Sequence, residues 1–160
     1  MESKAVVSIH KNPNGDTRTA PEKVSFEQFH EANDQHILDV ARVMEAISHC
    51  LKANAHKHDW TKKAEEEMFY RDFLSTKNDG ADFVSSEWYQ LHINTERHHL
   101  WARCPEDVNL LDVIEMIVDC VCAGKTRSGQ VRDIEISPEI LEKAFKNTVK
   151  MVDDMTVVIE

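Results

Sequence analysis

The residues best equipped for chemistry in this chain are histidines and acids. Nine histidines occur in 160 residues, and several fall near carboxylates: His36, the adjacent pair His58-Asp59, His92, the doublet His98-His99, then Glu115 and Asp119. Neutral imidazole nitrogens and carboxylate oxygens suit divalent ions such as Mn, Fe, Zn, Co and Ni. An aspartate flanked by two sources of histidine can bridge two such ions, and a water held there becomes a hydroxide nucleophile near neutral pH. There is no short zinc signature of the HExxH kind, so the expectation rests on the order H…HD…H…HH…D along the chain. Each residue also has a bland alternative. A histidine on an apolar stripe, as His36 is, is often a satisfied core residue. Glu115 and Asp119 are equally explained as acids neutralised by a neighbouring Arg or Lys.

The elements that must position these groups are helical. His36 shares a helical face with Val40, Val43/Met44, Ile47 and Cys50/Leu51. Ser25 with Gln28 has capping-box spacing, so this first helical region starts there, with a break expected near Asn33–Asp34. His56 to Trp60 ends it, where an irregular backbone lets His58 and Asp59 turn to one centre. Thr61 reads as the cap of a helix over 61–75, Lys77 to Gly80 as a loop, and Ser85 or Ser86 as the cap of a helix carrying Trp88, Leu91 and His92. Pro105 suits a first helical position, and residues 107–123 form the most apolar helix. In it Glu115 and Asp119 are the only polar residues between Val113 and Ala123 and lie four apart, on one face of a helix expected to be buried all round. Gly124 is read as its end, Lys125 to Gly129 as a basic loop, Val131 to Ile136 as a short strand, and Ser137-Pro138-Glu139 as the start of a last helix. Ala5 to Ile9 is a second candidate strand, followed by the turn Asn12-Pro-Asn-Gly-Asp16. Residues 1–24 are thus an arm and 25–160 a single helical domain, with the metal-site core in 33–123. The expected fold is an all-α bundle of five to six helices with a minor two-stranded element.

Around the ligands, Lys62 is placed to neutralise a substrate phosphate, Glu66 to serve as a further ligand or general acid/base, and Arg97 to clamp phosphate with its fork. A solvated lysine, an acidic surface face and a surface ion pair are their respective alternatives. Trp60, Trp88 and Trp101 are read as pocket walls, and His10, His30, His49 and His56 as structural. The net charge of −10 disfavours duplex nucleic acid, while a small phosphorylated substrate remains compatible if a metal supplies positive charge. No stretch approaches the roughly 20 apolar residues of a membrane span, and no secretory leader is evident. Cys50, Cys104, Cys120 and Cys122 lack disulfide or CxxC spacing and are read as reduced thiols. Together these point to a cytoplasmic protein, with oligomerisation left open.

The string formed by His36, His58-Asp59, His92, His98-His99 and Asp119 resembles the HD-domain superfamily of metal-dependent phosphohydrolases. A closer likeness is to a group of small phage and bacterial HD-like proteins, through His58-Asp-Trp-Thr-Lys62, Glu66-x-x-x-Tyr70, Trp88-x-x-x-His92 with Asn94, His98-His99, and Glu115-Met-x-x-Asp119. The resemblance implies that His36, His58, Asp59 and Asp119 hold one metal and that His92, His98 and His99 complete a second site. It implies hydrolysis of a phosphate ester, a nucleotide among the candidates, in a bacterial or phage-infected cell. The glycine-tyrosine-proline motif of the cyclic-dinucleotide branch is absent, which argues against that substrate. Two other outcomes fit the same ligand set: a di-iron oxygenase, and a non-catalytic, metal-stabilised phage-encoded binding protein.

Overall fold

The computed structural model describes residues 6–160. They form β1 (Val7–His10), a 3-10 turn (Pro13–Gly15), α1 (Phe26–Lys57), α2 (Thr61–Ala64), α3 (Glu66–Asp79), α4 (Glu87–Thr95), α5 (Leu110–Arg127), α6 (Pro138–Met155) and β2 (Thr156–Ile159). The class is all-α with a minor strand pair, as expected. Contacts divide the chain into two compact units: Met1–Lys52 with Val149–Glu160, and Ala53–Thr148.

In the first unit, β1 and β2 pair in parallel, with Val7 opposite Thr156 and His10 opposite Ile159. Ala5, the first residue of the expected N-terminal strand, lies outside the described residues. The partner strand is not Val131–Ile136, which carries no regular structure. It is Thr156–Ile159, a β-branched run that directly continues the apolar periodicity of α6 and is masked by it in sequence. β1 is tied to α1 through Asp39, whose carboxylate accepts from the His10 backbone N–H at 2.8 Å and from Arg42 at 3.1 Å. α1 is continuous through Asn33–Asp34, contrary to the expected break. No Pro or Gly interrupts it, and each weak helix former there costs only about 0.5 kcal/mol. The Asn-Pro-Asn-Gly turn packs against the helix at this point: a Cβ on Gly15 would meet Ala32 Cβ and Asn33 Oδ1 at 3.3 Å. The Ser25–Gln28 box caps α1, each residue's side chain bonding the other's backbone N–H.

The second unit packs Leu100, Val108, Val113, Met116 and Ala144 into a core, with Cys104, Cys120, Ile134, Ile136 and Ile140 around it. Several boundaries differ from expectation. The helix expected over 61–75 is broken at Glu65 (φ −118°, ψ 35°) into α2 and α3, and α3 runs on through Lys77 to Asp79 before Gly80 caps it in the left-handed region. Ser86 caps α4. Asn109, rather than Pro105, starts α5, in a reciprocal box with Asp112. Gly124 does not end α5, which continues to Arg127. Its missing side chain instead admits the following segment, since a Cβ would lie 2.7 Å from Gln130 O and 2.9 Å from Val131 Cα. Nor is α5 buried all round, because Ile114, Ile117 and Val118 are exposed. Pro138 opens α6, with Ser137 Oγ accepting from Ile140 N. Among the described residues no helix is long and apolar enough to cross a membrane.

Candidate metal centre

The site begins where α1 stops. Lys57 is the last helical residue, and Asp59 has φ 56°. Asp tolerates this left-handed region better than most side chains, at a cost of order 1 kcal/mol. The reversal brings the two neighbours together: His58 Nε2 lies 3.3 Å from Asp59 Oδ2. The last turn of α4 contributes His92, the irregular segment after it His98 and His99, and α5 contributes Glu115 and Asp119 one turn apart.

These side chains converge. Asp59 Oδ1 lies 3.4 Å from His92 Nε2 and 3.7 Å from His98 Nε2. On the other side of the carboxylate, Oδ2 faces His58 Nε2, which is itself 3.6 Å from Asp119 Oδ1. Glu115 Oε1 sits behind both histidines, 2.9 Å from His58 Nδ1 and 3.2 Å from His98 Nδ1. Glu115 and Asp119 therefore meet imidazoles, not the Arg or Lys of the bland alternative. Among the described residues, three groups have donor atoms close enough to hold an ion: Asp59 with His92, His98 and His99; His58 with Asp59 and Asp119; and His58 with His98 and Glu115. In the last, Glu115 faces the Nδ1 atoms and suits the orienting acceptor that metal-ligating histidines usually have.

Two features fit this donor set to a cation. First, Asp59 Oδ1 and His98 Nε2 are buried without a hydrogen bond, and His98 is only 1% exposed; such atoms are costly unless something binds them. Second, His92 Nε2 and His99 Nε2 face each other at 2.9 Å. Hydrogen bonding through Thr61 sets the tautomer of His92. Thr61 has one hydroxyl proton, and it goes to the carboxylate Oε1 of Glu96 at 2.6 Å. Toward His92 Nδ1, at 2.7 Å, Thr61 Oγ1 can then only accept. Nδ1 carries the proton, and the lone pair is on Nε2, in the cluster. His99 Nε2 either donates its proton to that lone pair or, in its other tautomer, turns a second lone pair to the same point, where a cation would be held.

Burial, reinforced by the neighbouring imidazole, pushes His92 and His99 down to about 4, so both rings are neutral at pH 7 and able to ligate. Burial also acts to lower His98, but the Glu115 carboxylate outweighs it, and the net shift is upward. Burial opposes ionisation of Asp59 and Glu115 too. It is outweighed for Asp59 by the Lys62 ammonium, which donates to Oδ2, and for Glu115 by His98 and His58; both carboxyls lie below their ordinary values.

Other expected site residues are placed elsewhere. His36 belongs to the first unit, where it lines a cavity with His10 and Asp39, and it joins none of the three donor groups. Glu66 pairs with Lys63 at 2.8 Å on the surface. Arg97 forks onto Asp112, with two bonds of 2.8 Å, and also reaches Asp107. Trp88 is buried and stacks on His92 at a centroid distance of 4.7 Å, whereas Trp60 and Trp101 are exposed. Sequence reasoning missed Thr61 and Glu96. The signal available was their adjacency to the His-Asp and His-His pairs.

Residues 25–160 match the family described as "Family of unknown function (DUF5662)". No curated protein matches the chain, and no solved structure does.

Proposed function

We propose that this member of the DUF5662 family is a metal-dependent phosphohydrolase of the HD kind, acting on a small phosphate ester. The observation that carries the reading is the placement of Asp59, whose two oxygens face two donor sets: His92 and His98 on one side, His58 and then Asp119 on the other. That is the position of a carboxylate shared by two ions. A divalent ion bound there supplies Lewis acidity toward phosphate oxygens and lowers the pKa of its water.

The chain's own residues do the rest. Glu115 holds His58 and His98 by Nδ1, keeping each Nε2 on the Asp59 side. Thr61 and Glu96 hold His92 in the ligating tautomer. Lys62 donates to Asp59, so its ammonium lies beside the cluster and can neutralise a substrate phosphate. The group formed by His58, Asp59 and Asp119 offers only three protein donors, and His58 and Asp119 are 30% and 25% exposed. Three donors with solvent access leave a coordination position for water or substrate.

A competing reading has its own support. Asp59, His92, His98 and His99 form a buried four-donor group, enough to close a structural site. Turnover separates the two. Nucleoside mono- and triphosphates and an aryl phosphate, each with Mn, Co, Zn or Mg, should yield metal-dependent phosphate release that disappears in His58→Ala and Asp119→Ala. Lys62→Ala should lower turnover while leaving bound metal largely intact. Full metal occupancy with every substrate untouched would favour the structural reading. Bound iron with oxygen consumption would favour the oxygenase.

A further inference from the structure

Asp119 has a second neighbourhood. Beside it, within the second unit, lies a cavity of about 430 Å³ whose lining includes Trp101, Cys120, Arg127, Arg132 and Ile134. This is small-molecule size and too small for a polymer. The cavity adjoins the metal-ligand cluster at two points. Asp119 belongs to both, and Trp101 packs edge-on against His99 at a centroid distance of 5.7 Å. Its existence depends on Gly124, where the absent side chain lets residues 130–131 lie against the α5 backbone.

The two arginines set this cavity apart. The chain has seven arginines. Arg18, Arg42, Arg71 and Arg97 pair with carboxylates, and Arg103 donates to Asn94 O. Among the described arginines, only Arg127 and Arg132 have side chains that make no hydrogen bond or ion pair, and both line this cavity. Arg127 lies eight residues beyond Asp119 on the same helix, about 12 Å along its axis. Helical side chains lean toward the N-terminus, which brings the guanidinium back toward Asp119. Asp133 and Glu135 also line the cavity. They leave both guanidiniums free and can accept from hydroxyl or amine groups of a ligand.

We infer that this cavity receives the organic part of the substrate, and that the substrate is a small phosphate ester with a planar or apolar body and a second anionic group. The body lies against Trp101 and Ile134, the second anion is held by Arg127 and Arg132, and the scissile phosphate is at the Asp119 end. The assignment of the scissile end rests on the phosphohydrolase reading; the anion selectivity of the cavity does not.

The test compares two non-hydrolysable probes, phenylphosphonate and 4-carboxyphenylphosphonate, which differ by one anionic group. Binding to metal-loaded protein is followed by calorimetry, with tryptophan fluorescence in wild type and Trp101→Phe. The second anion should tighten binding about tenfold or more in wild type, a difference of ~1.4 kcal/mol. That advantage should vanish in Arg127→Gln/Arg132→Gln, whose metal content and melting curve stay unchanged. Should the double variant fail to fold, Arg132→Gln alone, on the exposed segment, should remove part of the advantage. Equal affinity for the two probes, or an advantage that survives loss of both arginines, overturns the inference. Hydrolysis of the corresponding phosphates is scored separately. Turnover indifferent to the carboxylate and to the arginines defeats the cavity assignment alone, whereas selective binding without turnover defeats the phosphohydrolase reading alone.

Discussion

Thr61→Val perturbs the cluster without touching a proposed ligand. Thr61 is 1% exposed, donates its hydroxyl to Glu96 at 2.6 Å and accepts from His92 Nδ1 at 2.7 Å. Valine has nearly the same shape, so the change removes one hydroxyl and little volume. No water replaces it at this burial. His92 Nδ1–H is left without its acceptor, and Glu96 keeps only the Thr61 backbone N–H, at 2.9 Å. Leaving one buried polar group unsatisfied costs about 1–3 kcal/mol, so stranding one and weakening the other should cost roughly 2–4 kcal/mol. For a chain of this size that corresponds to a melting temperature lowered by about 5–12 °C. The second effect is on the metal. Losing the partner that fixes a ligating histidine typically weakens binding by about 10–100-fold. Melting of the metal-free protein reads the first effect, and competition with a fluorescent chelator reads the second. Thr61→Ser, which keeps the hydroxyl, should restore most of both. A Thr61→Val protein that melts within about 2 °C of wild type and binds metal within about twofold of it would show that the hydroxyl does not hold His92 in place.

Two further outcomes follow from other networks. Asp112 is fully buried and serves both Arg97 and the Asn109 cap of α5; Asp112→Asn leaves the half-buried guanidinium with only the exposed Asp107 as counter-charge and should cost about 2–4 kcal/mol in denaturant unfolding, with a loss under about 0.5 kcal/mol contradicting the assignment. Burial acts to raise the Asp39 pKa, but bonds from His10 and Gln35 outweigh it and hold the carboxyl below its usual 3.8. Its stabilising contribution is therefore present above the unfolded value and lost as pH falls through the lower folded one. The melting-temperature gap between wild type and Asp39→Asn should shrink as pH falls below about 4; a gap that widens over that range would contradict the sign.

What the sequence made legible was donor chemistry and helical register. His58-Asp59, His92, His98-His99 and Asp119 could be grouped because each is a ligand type at a helix end or on an inward face. His36 satisfied the same criterion, but an inward face does not say which interior it meets, and this residue lies in the other unit. Glu115 was recognisable as an acid in apolar surroundings, while its histidine partners, 57 and 17 residues away, were not. Thr61 read as a helix cap because capping is local, whereas its actual bond crosses 35 residues to Glu96. Arg97 shows the same limit: its charge was visible, but its commitment to Asp112 depends on the fold. Gly124 looked like a helix end because glycine often is one, and here it marks a close approach of backbone.

Elemental analysis reads out whether Asp59 is shared between two metal sites. Protein purified without chelator or nickel resin should carry about one to two equivalents of a transition metal. Asp59→Asn, whose side chain tolerates the left-handed backbone at this position, should lose most of it while keeping its helical content. Wild-type protein that is folded, metal-free and unable to take up Mn, Fe, Co, Ni or Zn on dialysis would rule out a metal centre at Asp59.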